Sequence, residues 1–253
     1  MIKILRWFKD WKKRKTTGAI PQRPDPRDYQ YNISGSTNLP KEVDLREYFN
    51  IVRNQNRSES CSGFAVASVV EYQLNRFNNF WRQVSPLHLW YHGKTFHGWE
   101  DENKGVWLRN SLKALFNNGF VMEENFPFNS NYLRAPVLGK VFIVESVSKF
   151  YLEELAYFLL GPYSVKDSLA KGRPVIFGLW LNNSFYGNKD GIIKDIKKGP
   201  YAHAMVVVGY DDSRECFIVR NSWGARWGDN GYCYIPYNYF YEHSFDLWTI
   251  DYK

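Results

Sequence analysis

The sequence predicts an α+β protein of two lobes, with helices in the first half of the chain and antiparallel strands in the second. Apolar side chains recur at helical spacing after Cys61, and a second helical pattern stops at Asn118 and Gly119, a pair that commonly ends a helix. From residue 175 onward, β-branched and aromatic runs are separated by Gly, Asp and Asn, which is typical of strands and turns. The two patterns are segregated along the chain, and this segregation indicates the α+β class.

Each element is predicted from its own segment. We expect helices over residues 60–77, 107–117 and 164–170, the last ending before Gly172 and Pro174. We expect strands over residues 175–181, 203–210, 216–224 and 232–237. Of the 253 residues, 44% are hydrophobic and 18% aromatic, so the chain can bury a substantial core and does not resemble a disordered one.

The net charge of +7 comes almost entirely from the N-terminus. Residues 1–17 contain seven Lys or Arg and one acid, so the other 26 basic and 25 acidic residues leave the body at +1. A nearly neutral body gives no indication of nucleic-acid binding. Residues 1–17 also place apolar side chains on one helical face, which fits a frayed tail, a small helix packed on the body, or weak association with a membrane surface.

Residues 18–38 form a second N-terminal segment. Four of the 11 prolines fall between residues 18 and 40, and their spacing disfavours a helix, so we expect an extended segment lying over the surface. No run of 18 uncharged apolar residues predicts a transmembrane helix, and charged residues interrupt the N-terminal apolar stretch that a secretory signal would need. An intracellular, cytoplasmic location is the expectation.

Three cysteines, Cys61, Cys216 and Cys233, make a poor disulfide framework and favour a reducing compartment. A bridge between Cys216 and Cys233 stays open as an alternative, because both are predicted on neighbouring strands.

Cys61 is the candidate nucleophile. It begins the first predicted helix, where backbone N–H groups and the helix dipole favour a thiolate. His203 lies 142 residues downstream (203 minus 61), within the separation of about 130–150 that is typical of one class of cysteine enzyme.

Three motifs surround these residues. Gln55 stands six residues before Cys61, in a segment that continues Ser-Cys-Ser-Gly-Phe-Ala. His203 opens His-Ala-Met-Val-Val-Val-Gly-Tyr, and Asn221 opens Asn-Ser-Trp-Gly-Ala-Arg-Trp-Gly-Asp-Asn-Gly-Tyr. In these motifs the sequence resembles the papain/cathepsin family of cysteine peptidases, and weaker similarities extend the resemblance over residues 39 to about 250. The Asn221 motif is the most specific of the three.

The resemblance implies a papain-like two-lobe fold for residues 39–253. A mainly helical left lobe would span roughly 39–135 and an antiparallel, β-barrel-like right lobe roughly 136–253, with the active-site cleft between them. It also implies an endopeptidase that cleaves peptide or protein substrates through an acyl-enzyme on Cys61, with no cofactor. A monomer is the expected state.

The resemblance also implies a role for each matched residue. His203 would protonate the leaving amine and then activate water, while Asn221 would accept the other ring N–H of the histidine. Gln55 would donate to the oxyanion together with the backbone N–H of Cys61. Trp223 would shield the histidine–asparagine contact, or serve as plain core.

Ala202, beside the histidine, would line the pocket for the residue two positions before the cut, where its small apolar side chain favours a hydrophobic partner. Two positions depart from the family pattern: Ser58 replaces a cysteine that forms a disulfide, and Ser62 replaces an aromatic residue. Both changes concern the stiffness of the oxyanion loop, since neither residue performs a chemical step.

Several alternatives stay open. His88, His92 and His97 are close in sequence but match no established zinc spacing, so we expect no metal. The fold could serve binding without catalysis, or support an acyltransferase or amidase through the same intermediate, and the basic tail could make the chain a membrane- or nucleic-acid-binding module.

The segment before Leu39 is shorter than the family's helical pro-domain. We hypothesise that residues 20–36 lie near the cleft and lower activity until they are cut or displaced.

Overall fold

The computed structural model describes residues 17–31, 38–129, 155–159 and 164–252. The amphipathic pattern of residues 1–17 lies outside these ranges apart from Thr17. Helices α1 to α3 occupy the first half of the chain at Cys61–Asn78, Pro86–Thr95 and Leu108–Asn118. The predicted helices at 60–77 and 107–117 are therefore confirmed to within one residue.

Helix α2 is absent from the predicted elements, although its start carries a clear local signal. Ser85 accepts a hydrogen bond from the backbone N–H of His88, and Pro86 occupies the first helical position. An N-cap serine followed by proline is a favourable helix start, because the side chain satisfies a free N–H and proline lacks one. Among the helices that the structure describes, α1 is deeply buried, since every residue from Cys61 to Asn75 is buried.

Seven strands of the described residues form one antiparallel sheet. The strands β1 to β7 span Glu42–Asp44, Leu155–Leu159, Val175–Leu181, Tyr201–Asp211, Cys216–Arg220, Tyr232–Pro236 and Ser244–Tyr252. The sheet order is β2-β7-β3-β4-β5-β6, and β1 pairs with the C-terminal end of β4. Two short helices, α4 (Val165–Ala170) and α5 (Tyr237–His243), flank the sheet, and α4 confirms the prediction at 164–170 to within one residue.

The predicted strand over residues 216–224 is too long. Strand β5 ends at Arg220, because the backbone N–H of Asn221 turns to the carbonyl of Gly231 and Gly224 adopts a φ of 82°. The remaining strand predictions are confirmed within two residues. Asn221 therefore lies directly after the end of β5 and is not paired in the sheet. Its side chain can face the neighbouring strand β4.

The α+β fold class is confirmed, with helix α1 packed against strand β4 across one continuous hydrophobic core. All three cysteines are free, and the β5–β6 register pairs Cys233 with Val219 and not with Cys216. Within the described ranges, no helix has the length and apolar content needed to cross a bilayer. The same residues contain no group of three or more His, Cys, Asp or Glu side chains arranged to hold a metal ion.

Candidate active site

Cys61 is the first residue of α1, and its thiol faces the start of β4. The side chain is fully buried, and Sγ accepts a hydrogen bond from the backbone N–H of Ala204 at 3.4 Å. Ala204 follows His203 in β4, so the packing of α1 on β4 brings the predicted nucleophile to the predicted histidine although 142 residues separate them. The helix start also directs free backbone N–H groups toward the sulfur, a favourable place for a thiolate.

His203 is oriented by the predicted asparagine. Its Nε2 lies 2.8 Å from Oδ1 of Asn221. An amide oxygen only accepts hydrogen bonds, so Nε2 carries the proton and Nδ1 is left as the basic nitrogen. Nδ1 is buried and has no hydrogen-bond partner among the described residues. The same Asn221 oxygen accepts the backbone N–H of Ser222 at 2.7 Å, which fixes the orientation of the amide.

Trp223 covers the histidine–asparagine contact. Its ring centroid lies 4.9 Å from that of His203, and its side chain is 2% exposed. Tyr186 stacks on the Trp223 ring at 5.5 Å, and Trp227 meets it edge-on at 5.3 Å. This aromatic cluster excludes water from the hydrogen bond between His203 and Asn221.

Gln55 is fully buried in the segment that leads into Cys61. Its Nε2 donates to the carbonyl of Ser58 at 2.8 Å, while its Oε1 accepts from the hydroxyl of Ser222 at 2.6 Å. The backbone N–H of Gln55 also donates to the Ser222 carbonyl at 2.8 Å. The Ser58 carbonyl can only accept, so this contact fixes which end of the amide is the donor. Ser222 is absent from the predicted site, and its place next to Asn221 is the signal that could have indicated it.

The N-terminal strap is defined as residues 17–31, and its first residues pass between Glu59 and Ala202, which lie close in sequence to Cys61 and His203. The backbone N–H groups of Gly18 and Ala19 both donate to the carbonyl of Ala202, at 3.2 and 3.3 Å. Ala19 also forms a parallel bridge with Val106 on the opposite wall. Gly18 and Ala19 stand just before residues 20–36, the range that the sequence analysis expects near the cleft. A cavity of about 460 Å3 remains between strap and walls, lined by Trp99, Lys104, Trp180, Tyr201 and Ala202 among others.

Gly18 fits the cleft because it has no side chain. A Cβ on Gly18 would overlap the carbonyl oxygen of Glu59 and lie 2.7 Å from the Glu59 Cβ. From the other wall, a Cβ on Gly105 would overlap the Gly18 carbonyl and lie 2.7 Å from its Cα. Glu59, Gly105 and Ala202 therefore enclose the strap backbone on three sides.

Buried polar contacts anchor the strap on both halves of the fold. Arg109 of α3 donates from Nε to Asp28 at 2.7 Å, and their side chains are 6% and 4% exposed. Arg109 also donates to the carbonyl of Arg23 and, through its backbone N–H, to the side chain of Gln22.

On the side of the sheet, the backbone N–H of Gln22 donates to Asp246 of β7 at 2.9 Å. Tyr31 donates to Asp167 of α4 at 2.7 Å. The strap therefore contacts α3, α4 and the sheet within fifteen residues.

Burial keeps Cys61 and His203 uncharged. Desolvation raises the pKa of Cys61 to about 12, against the opposing effect of the Ala204 N–H, and it lowers the pKa of His203 to about 4. A thiol and a neutral imidazole are therefore the stable forms near neutral pH in this closed arrangement.

A buried cysteine at a helix start, a histidine oriented by an asparagine and a glutamine in the adjacent loop define a cysteine-dependent hydrolase with papain architecture. The family model described as papain family cysteine protease matches residues 39–243. The chain belongs to this family, and the prediction of a cysteine-type peptidase, a hydrolase of peptide bonds, is confirmed.

Individual relatives are distant in sequence but similar in fold. The structure of xylellain, a cysteine protease from Xylella fastidiosa, superposes with a TM-score of 0.83 at 27% identity, covering 95% of this chain and 98% of that one. An uncharacterized peptidase C1-like protein of Acanthamoeba polyphaga mimivirus is 26% identical over 92% of this chain and 86% of its own length. Cathepsin Q of Rattus norvegicus is 29% identical over 78% of this chain, which spans 58% of that relative.

Proposed function

We propose that the chain is a self-inhibited cysteine endopeptidase in which Cys61 is the nucleophile and the N-terminal strap blocks the cleft. Cys61 would attack the scissile carbonyl, and the acyl-enzyme would form as the amine leaves. The observation that carries this proposal is the contact between Cys61 Sγ and the strand residue that follows His203. The free Nδ1 of His203 is the nitrogen suited to take the thiol proton.

The other residues would support this step. Nδ1 of His203 would return the proton to the leaving amine and then activate a water molecule. Asn221 holds Nε2–H, and thereby the tautomer and the ring plane, under the cover of Trp223. Gln55 and the backbone N–H of Cys61 would stabilise the tetrahedral oxyanion.

The substrates would be peptides or proteins bound in extended form in the cleft that the strap now fills. Ala202 would contact substrate as well as strap, because its carbonyl already accepts two backbone N–H groups. Its small side chain beside Trp180 and Tyr201 favours a hydrophobic substrate side chain.

Self-inhibition would act both by steric block and through charge. The strap would exclude substrate from the cleft, and by keeping water from the site it would favour the uncharged forms that burial gives Cys61 and His203. Displacing the strap would hydrate the pair and favour the thiolate–imidazolium form that attacks carbonyl carbon.

We also propose a reducing, intracellular compartment, because all three cysteines are free. We also propose weak attraction of residues 1–17 to anionic membrane surfaces, because their net charge is +6. Deletion of residues 1–17 should abolish binding to anionic liposomes, and binding that survives the deletion would contradict this role.

The test of self-inhibition compares turnover of a fluorogenic peptide by the full chain and by a chain that begins at Asn38. We expect faster turnover by the shorter chain, with Cys61→Ala versions of both as blanks. Equal rates would contradict self-inhibition. Activity that persists in the Cys61→Ala chains would contradict the assignment of the nucleophile.

A further inference from the structure

The oxyanion loop, defined as residues 55–60, has no covalent support. It carries Gln55 and leads into Cys61, so both donors proposed for the oxyanion depend on its shape. All three cysteines are free, and Ser58 occupies the position where the sequence departs from a disulfide-forming cysteine. Oxyanion donors must be held in place before the reaction, so some other interaction has to fix this loop.

Within the loop, a hydroxyl pair ties Ser58 to its neighbours. The Ser58 hydroxyl lies 2.7 Å from the carbonyl of Gln55 and 2.6 Å from the hydroxyl of Ser60. A serine hydroxyl has one proton, which Ser58 donates to the carbonyl, so Ser60 must donate to Ser58. Both serines are at most 1% exposed, and hydrogen bonds at such buried positions are costly to leave unmade.

Between loops, Asn103 joins the oxyanion loop to the facing wall of the cleft. Its Oδ1 accepts the backbone N–H of Glu59 at 2.9 Å, and its Nδ2 donates to the carbonyl of Arg57 at 3.1 Å. The connection is reciprocal, because Oε2 of Glu59 accepts the backbone N–H of Gly105 at 2.9 Å. Three hydrogen bonds thus connect residues 57–59 with residues 103–105.

The facing wall is itself held in place, so the connection has a fixed base. Lys94 is 1% exposed, and its Nζ donates to the carbonyls of Glu100 and Glu102 at 2.6 and 2.9 Å. The same ammonium lies 4.0 Å from the centroid of the Trp90 ring. Residues 100–102 are therefore attached to α2 directly before Asn103.

We propose that Asn103, Glu59 and Ser58 are positioning residues that form a hydrogen-bonded brace, which holds the oxyanion loop in place of a disulfide. The inference rests on the proposed role of Gln55 in stabilising the oxyanion. The brace acts on turnover through Gln55 and the Cys61 N–H, and it leaves the nucleophilicity of the thiol unchanged.

Two reactions of the full chain separate an effect on the oxyanion donors from an effect on the nucleophilicity of the thiol. Peptide turnover passes through an oxyanion, whereas iodoacetamide alkylates the thiolate by displacing iodide and forms no oxyanion. Both reactions require the open cleft and the thiolate, so the ratio of kcat/KM to the alkylation rate constant cancels any change in strap opening. Removal of one oxyanion donor costs about 100- to 1000-fold in other enzymes, so a displaced donor should lower the ratio about tenfold.

The variants are Asn103→Ala and Ser58→Ala, with Asn117→Ala on the exposed end of α3 as the matched control. Both brace variants should lower the ratio about tenfold, and the control should leave it unchanged. Glu59→Ala should lower the ratio as well, whereas Glu59→Gln should restore it because the amide oxygen can still accept the Gly105 N–H.

Equal losses in turnover and alkylation would indicate a purely structural role and overturn the brace, as would an unchanged ratio in Asn103→Ala. A folded chain beginning at Asn38 that neither turns over peptide nor is alkylated at Cys61 would overturn the proposed function itself. These two failures are distinguishable because the second appears without any brace variant.

Discussion

The fit of Gly18 in the cleft makes the strap sensitive to a single substitution. In Gly18→Val the new side chain would overlap the Glu59 carbonyl and approach the Glu59 Cβ. Residue 18 could then no longer lie between Glu59 and Gly105. The backbone N–H groups of Gly18 and Ala19 would lose their shared acceptor on Ala202.

The expected increase in the open fraction of the strap follows from the loss of those two hydrogen bonds. Two hydrogen bonds at about 1 kcal/mol each amount to about 2 kcal/mol of lost strap binding, which corresponds to a rise of about 30-fold in the open fraction. Gly105→Ala should act in the same direction from the opposite wall, since its Cβ would overlap the Gly18 carbonyl. Asn117→Ala, on the exposed end of α3 and away from the strap, is the control.

The assay is the alkylation rate of Cys61 in the uncut full chain, with intact mass confirming that no cleavage has occurred. We expect the rate to rise about 30-fold in Gly18→Val, and peptide turnover to rise with it. Wild-type rates of both reactions in a folded Gly18→Val chain would refute the view that the strap closes the cleft through this contact.

Three further predictions concern the anchors and the site. Arg109→Met leaves Asp28 buried without its partner, so the strap should open and Cys61 alkylation should accelerate at least tenfold. Asn221→Ala should reduce kcat about 100-fold with KM nearly unchanged, and a wild-type kcat would contradict its orienting role. Burial raises the pKa of Asp246 to about 7, and strap release should return it toward its ordinary value, so release gives up a proton. Limited proteolysis of the strap should accelerate as pH rises through about 7, and Asp246→Asn should remove this dependence.

Much of the fold could be predicted because the local apolar patterns of the sequence agree with the long-range packing of the elements. Helix α1 and strands β3, β4 and β6 have strong apolar patterns bounded by turn residues, and their boundaries were predicted within two residues. Strand β5 is predicted too long because Trp223 extends the aromatic and β-branched pattern beyond the true end of the strand at Arg220. The backbone hydrogen bonds of Asn221 and Gly224 go to residues distant in sequence, Gly231 and Arg53, which a local pattern does not contain.

The residues of the candidate site were predicted from three motifs, and the structure brings Cys61, His203 and Asn221 together. The contacts that support them were not predicted. Asn103 and Gly18 are small polar or flexible residues in segments without periodicity, and their importance arises only when folding places them against Glu59. Pairings of this kind depend on tertiary distance, so they leave no signal in one sequence.

The central claim is that the strap controls access to a nucleophilic Cys61. The most direct measurement is the rate and position of labelling by an epoxysuccinyl inhibitor, followed by peptide mass mapping, in the full chain and in the chain beginning at Asn38. We expect a single adduct on Cys61, formed at least tenfold faster in the shorter chain. Adducts on Cys216 or Cys233, or equal rates in the two chains, would contradict the claim.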